Sequence, residues 1–134
     1  MADDTKILLV DDEPDFLELM EARIRSWGYS VVKTDNGKEA IDIVKNGDID
    51  IVVLDYMMPE MDGVTVLKKI RMISKKIPVI MFTAYPDGHA ISGAIKFDVS
   101  AFVPKLSAYS DSQTALKTAI KMAEKKIDKG NTDE

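Results

Sequence analysis

Apolar positions along the chain follow two alternating rhythms. Short runs dominated by apolar and β-branched residues, at Ile7–Val10, Tyr29–Lys33, Ile49–Leu54, Pro78–Phe82 and Ala101–Val103, have the length and composition of strands. Between them, apolar residues recur at helical spacing. Phe16, Leu17, Met20, Ile24 and Trp27 follow Pro14, which suits a first helical turn, and Gly28 follows as a C-terminal stop. Asn36-Gly37 turns the chain into a second helix carrying Ala40, Ile41 and Val44. Val64, Leu67, Ile70 and Ile73 mark a third helix, and Ala90–Phe97 a fourth, weakened by Gly93 and its β-branched residues. Ala115, Leu116, Ala119, Ile120, Met122, Ala123 and Ile127 define the last. The polar tail 129–134 reads as frayed or disordered, so the folded domain is expected over residues 1–128.

Strand and helix alternate throughout, which implies a parallel sheet covered on both faces. The near-continuous apolar strands agree, since both of their faces must be buried. The expected architecture is a doubly wound, five-stranded α/β sandwich of three layers with strand order 2-1-3-4-5, the flavodoxin-like arrangement. In that order the topological switch point lies between strands one and three, and ligands bind there at the carboxyl ends of the strands.

The length of 134 residues suits one domain, and the apolar share of 46% is ordinary for a globular chain. There is no cysteine, which fits a reducing cytosol and excludes a disulfide framework or a Cys-based metal site. No apolar run approaches bilayer-spanning length, and the acidic N-terminus lacks the pattern of a secretory signal. A cytoplasmic location is therefore expected. The net charge of −5 argues against nonspecific binding to nucleic acid or an anionic membrane.

Strand one ends in Asp11-Asp12-Glu13 and strand three in Asp55. These strands flank the switch point, so at least three carboxylates should converge there. Helix capping ahead of Pro14 accounts for one or two of the first group, but not for Asp55 arriving beside them. Like charges gathered in a crevice repel unless a cation neutralises them. A hard divalent cation fits such a donor set, and with few carboxylates Mg²⁺ is a better match than Ca²⁺.

The loop after strand three reads Asp55-Tyr56-Met57-Met58-Pro59-Glu60-Met61-Asp62-Gly63. Together with Asp11-Asp12, Thr83 ending strand four and Lys105 ending strand five, it resembles the receiver domain of two-component response regulators, which has a chemotaxis-regulator-like fold. The resemblance covers about Lys6 to Ile127. It implies that Asp55 accepts a phosphoryl group from the phosphohistidine of a histidine kinase or a phosphotransfer protein. Mg²⁺ would be held by Asp12, Asp55 and the main-chain carbonyl of Met57, with Asp11 acting mainly through water. Lys105 and Thr83 would contact phosphoryl oxygens. Thr83 and Phe102 would then switch the surface of helix four, strand five and helix five that a partner reads. Positions 57 and 85 would tune self-dephosphorylation, and Met57 and Tyr85 offer no carboxylate or amide to orient water, so slow decay is expected. This is a phosphoacceptor switch, not an enzyme turning over other substrates.

One departure stands out. Receiver domains usually follow this lysine with proline through a cis bond, whereas Leu106 follows Lys105 here and Pro104 precedes it. A trans bond is expected, because a cis bond without proline costs about 2.5–4 kcal/mol. The reach of Lys105 is then an open question for the structure. His89, the single histidine, is expected to be exposed and not catalytic, and the lysines of the last helix to form a solvated face. Competing readings fit less well. A flavodoxin-type carrier would need a hydroxyl- and glycine-rich phosphate loop after strand one. A haloacid-type hydrolase would usually carry an Asp at position 57. A pseudo-receiver used only for binding would not need the full acidic, hydroxyl and lysine set. The output is expected in a separate protein or in a domain outside this sequence, and a phosphorylation-dependent homodimer is a further expectation.

Overall fold

The computed structural model describes residues 5–84, 87–105 and 109–132, with the backbone alone at 109–111 and 128–132. Ten elements alternate along the chain: β1 (Lys6–Val10), α1 (Pro14–Ser26), β2 (Ser30–Thr34), α2 (Gly37–Lys45), β3 (Ile51–Leu54), α3 (Gly63–Ile73), β4 (Val79–Thr83), α4 (Gly88–Lys96), β5 (Ala101–Pro104) and α5 (Tyr109–Thr132). The strands form one five-stranded sheet in the order β2-β1-β3-β4-β5, as the alternation of elements predicts. Every pairing is parallel. No described helix is long and apolar enough to cross a membrane.

Strand residues alternate between two cores. Leu8, Val10, Val52, Leu54, Val79 and Met81 face Ala40, Ile41 and Val44 of α2, Val66, Leu67 and Ile70 of α3, and Ala90 of α4. Their neighbours Ile7, Leu9, Ile51, Val53, Ile80 and Phe82 face Leu17, Met20 and Ile24 of α1, and Leu116, Ile120 and Ala123 of α5. The period-two geometry of a strand thus produces the three layers from near-continuous apolar runs.

Three helices start on side-chain caps. Asn36 accepts from the Glu39 N–H at 2.7 Å, Asp62 from the Thr65 N–H at 2.8 Å, and Asp87 from the Ala90 N–H at 2.9 Å. The start of α1 differs: Pro14 sits in its first turn, and the N-cap residue Glu13 makes no side-chain cap. The acidic run before α1 is therefore not accounted for as a cap.

Boundaries shift where polar residues obscure the pattern. β2 runs one residue later than Tyr29–Lys33, and Tyr29 is buried just before the ladder begins. β3 starts at Ile51; just before it the Asp50 N–H donates to the Lys6 carbonyl at 2.9 Å while the Asp50 carboxylate takes the Lys6 N–H at 2.8 Å. The backbone of α5 begins at Tyr109 and stays helical to Thr132, past the point where the sequence suggests a frayed tail.

Arg71 near the end of α3 binds four carbonyls: Phe97 through Nε at 2.9 Å, Asp98 through Nη2 at 2.9 Å, and Ile77 and Ser74 through Nη1 at 2.7 and 3.3 Å. Phe97 caps α4, and Asp98 follows in the left-handed region at φ 56°. One side chain thereby ties the end of α3 to the start of β4 and the end of α4.

Candidate functional site

Register places the site. Val10 pairs with Leu54, so Asp11 and Asp55 leave adjacent strands side by side, and the Asp55 N–H donates to the Val10 carbonyl at 3.0 Å. Thr83 pairs with Pro104, and the Lys105 N–H donates back to Thr83 at 2.7 Å, which brings Lys105 up at the same sheet edge. Gly63 closes the loop behind Asp55: its N–H donates to the Tyr56 carbonyl at 2.8 Å, and a Cβ there would lie 2.7 Å from the Tyr56 Cα. Only glycine admits that approach.

Asp11, Asp12 and Asp55 each direct a carboxylate oxygen into one cluster, with these atoms within 4.8 Å of one another. Asp55 is 4% exposed and Asp11 2%, while Asp12 is partly exposed. Lys105, its side chain 12% exposed, places Nζ 2.5 Å from Asp11 Oδ2 and 3.7 Å from Asp55 Oδ2. The Thr83 hydroxyl and the Tyr56 N–H also act to lower the Asp55 carboxyl's pKa.

Burial pushes the Asp55 carboxyl up from its ordinary 3.8 to about 6, against the lowering effect of the Lys105 ammonium; Asp11 raises it further. One ammonium does not offset three gathered carboxylates plus the cost of burial. The cluster therefore has the charge and the hard oxygen donors that suit a divalent cation, with room on the exposed Asp12 side for water ligands.

Asp11, Asp12, Asp55, Thr83 and Lys105, all singled out by the sequence, thus converge. Met57 lies on the loop two residues beyond Asp55 and is 47% exposed. Phe102 is half-buried opposite Met81 in the β4–β5 ladder and packs against the core on the α2–α4 side. Tyr85 and Leu106 lie outside the described residues. His89 is largely exposed, as its sequence position suggests, though its ring lies 5.9 Å from that of Tyr56 and its Nε2 3.9 Å from Asp62 Oδ2. Sequence reasoning did not single out Phe16 for the site. Its ring lies under the Lys105 ammonium, 4.0 Å from Nζ, yet its spacing matches the core stripe of α1.

The fold is that of a flavodoxin-like α/β domain with an acidic cluster at its switch point. A profile of the response regulator receiver domain matches residues 7–128, and the chain belongs to that family, the receiver domains of two-component systems. It is 32% identical over 118 residues to the transcriptional regulatory protein ZraR of Escherichia coli K12, covering 88% of this chain and 27% of that protein. It is 39% identical over 101 residues to the response regulator SaeR of Staphylococcus aureus USA300, covering 75% of this chain and 44% of that protein. The chain thus spans less than half the length of these curated relatives. Among solved structures, the response regulator TrrA of Thermotoga maritima in complex with Mg(2+)-BeF shares 31% identity at a TM-score of 0.73, covering 86% of this chain and 98% of that one. A receiver domain protein from Methanospirillum hungatei has the same fold at a TM-score of 0.80 and 22% identity, covering 91% and 98%.

Proposed function

We propose that Asp55 is the phosphoacceptor of a two-component switch, supplied by the phosphohistidine of a histidine kinase or phosphotransfer protein. The observation that carries this reading is the buried Asp55 carboxylate, held beside two further carboxylates and within reach of a hydroxyl and an ammonium. An Asp55 oxygen attacks phosphorus as the N–P bond breaks, and the departing imidazole nitrogen keeps the bonding pair. Asp12, Asp55 and the Met57 carbonyl would hold Mg²⁺, with Asp11 acting through water; the ion supplies charge neutralisation for the transferring oxygens. Lys105 turns from Asp11 toward a phosphoryl oxygen, and Thr83 donates its hydroxyl to another.

The acyl phosphate adds about two negative charges at one point. Thr83 follows the phosphoryl group, Phe102 changes rotamer, and the α4–β5–α5 surface presents a changed face to its partner. That partner is an output protein or a domain outside this sequence, and pairing with a second phosphorylated copy is compatible with the same face. The chain would act in the cytoplasm. The relative solved in complex with Mg(2+)-BeF supports the reading by analogy. The test is intact mass after incubation with acetyl phosphate, with Mg²⁺ or with EDTA. One added phosphoryl group is expected, needing Mg²⁺ and abolished by Asp55→Asn. An adduct that survives that substitution would refute the assignment.

A further inference from the structure

We infer that Phe16 is a positioning residue for the phosphoryl-transfer site: its ring forms the seat on which the Lys105 ammonium turns. This rests on the reading of Lys105 given above. Lys105 Nζ lies 4.0 Å from the Phe16 ring centroid and 5.8 Å from that of Phe82, and these two rings tilt together at 5.8 Å. It is the charged head, not only the hydrocarbon stem, that meets the ring. The same nitrogen lies 2.5 Å from Asp11 Oδ2 and 3.7 Å from Asp55 Oδ2. The ammonium is thus held between carboxylates and an aromatic seat, and its side chain is only 12% exposed.

A lysine is a point charge on a flexible four-carbon stem, so its aim depends on what surrounds it. Hydrogen bonds to Asp11 alone would fix one aim. A ring face attracts the ammonium through its quadrupole without demanding a donor direction. The head can therefore swing from Asp11 to an oxygen carried on Asp55 while keeping the ring contact. Phe16 itself is only partly buried, beside the fully packed α1 stripe of Leu17, Met20 and Ile24. Filling the core does not by itself call for an aromatic there.

The test uses beryllofluoride with Mg²⁺ as the phosphoryl probe on the full chain, with Phe16→Leu, Phe16→Tyr, Lys105→Met and the Phe16→Leu/Lys105→Met double variant. Phe16→Leu is expected to weaken probe binding by about five- to tenfold, the effect of losing a largely desolvated cation–π contact. Phe16→Tyr should restore binding to within about twofold, because the ring face remains. In the Lys105→Met background Phe16→Leu should add nothing, which a merely structural role would not produce. A second readout needs no probe: in the Mg²⁺-free chain the Lys105 ε-methylene protons should be shifted upfield by the ring, and the shift should vanish in Phe16→Leu. Equal losses in both lysine backgrounds, failure of Phe16→Tyr to rescue, or no upfield shift in the wild type would each overturn the seat. If the wild type binds no beryllofluoride, the phosphoacceptor reading fails instead, while the proton shift still decides whether the ring holds the ammonium.

Discussion

Replacing Asp55 by Asn should stabilise the metal-free protein. The folded-state carboxyl is raised from its ordinary 3.8 to about 6, chiefly by burial. A raised carboxyl contributes its stabilisation fully below the unfolded value and loses it as pH rises through the folded one. At pH 7.5 the wild type therefore carries an ionised Asp55 that folding disfavours, at a cost of about 3 kcal/mol for this shift. Asn removes the charge but keeps a carbonyl acceptor for Thr83 and forfeits the 3.7 Å ion pair with Lys105. The net gain is expected at about 1–3 kcal/mol, or roughly 1–2 M in the urea midpoint. The assay is urea unfolding in EDTA at pH 7.5 and pH 4.5, repeated at pH 7.5 with Mg²⁺. The gain should shrink at pH 4.5, where much of the penalty is already relieved, and Mg²⁺ should stabilise the wild type but hardly the variant. An Asn variant no more stable than wild type in EDTA at pH 7.5 would refute the account of the site as an uncompensated carboxylate cluster.

Gly63→Ala should cost about 1–3 kcal/mol by overpacking against the Tyr56 backbone, and should also slow phosphorylation by displacing the Asp55 strand end; thermal unfolding and acetyl-phosphate labelling read the two effects. Arg71→Ala should cost about 2–4 kcal/mol in chemical unfolding, since four carbonyls lose a charged donor. Tyr29 is pushed up to about 12 by burial and by Glu124, so its stabilisation is present below pH 10 and lost as pH climbs toward 12. Tyr29→Phe should accordingly flatten the alkaline limb of the stability profile. Met57→Asn, which introduces an amide able to orient water, should shorten the lifetime of the phosphorylated chain measured by intact mass.

The architecture was legible because the central strands are apolar on both faces, and the acidic residues stand directly after strands one and three. Topology then brings Asp11 and Asp55 together without any knowledge of side-chain geometry. Element ends were less legible, because apolar spacing marks only the buried positions. The first turns of α5 and its continuation to Thr132 carry few such residues. Asp50 reads as part of a strand, and its N–H does donate to the Lys6 carbonyl, but its carboxylate rather than a strand carbonyl takes the Lys6 N–H. Phe16 shows a different limit. Helical periodicity explains it fully as core, and only the three-dimensional position of Lys105, 89 residues away in sequence, reveals a second contact. The carboxylates had a sequence signal because burying charge without a partner is costly; an aromatic beside a core has none.

Arg71 gives α4 two unequal ends. The C-terminal end, through Phe97 and Asp98, is riveted by a guanidinium that also grips Ile77 and Ser74, whereas the N-terminal end is held by the Asp87 cap, the buried Ala90 and the His89 ring beside Tyr56. Midway, Gly93 lets Val64 of α3 approach so closely that an added Cβ would fall 2.5 Å from a Val64 methyl. Such a helix is a lever with its hinge at the far end and a fulcrum at its middle. Thermal agitation should be graded along it, with amide exchange slowest at Phe97 and Val99 and faster at the exposed Gly88 and His89. Movement at Thr83, five residues before α4 begins, would then enter at the less firmly held end, where less force turns the helix.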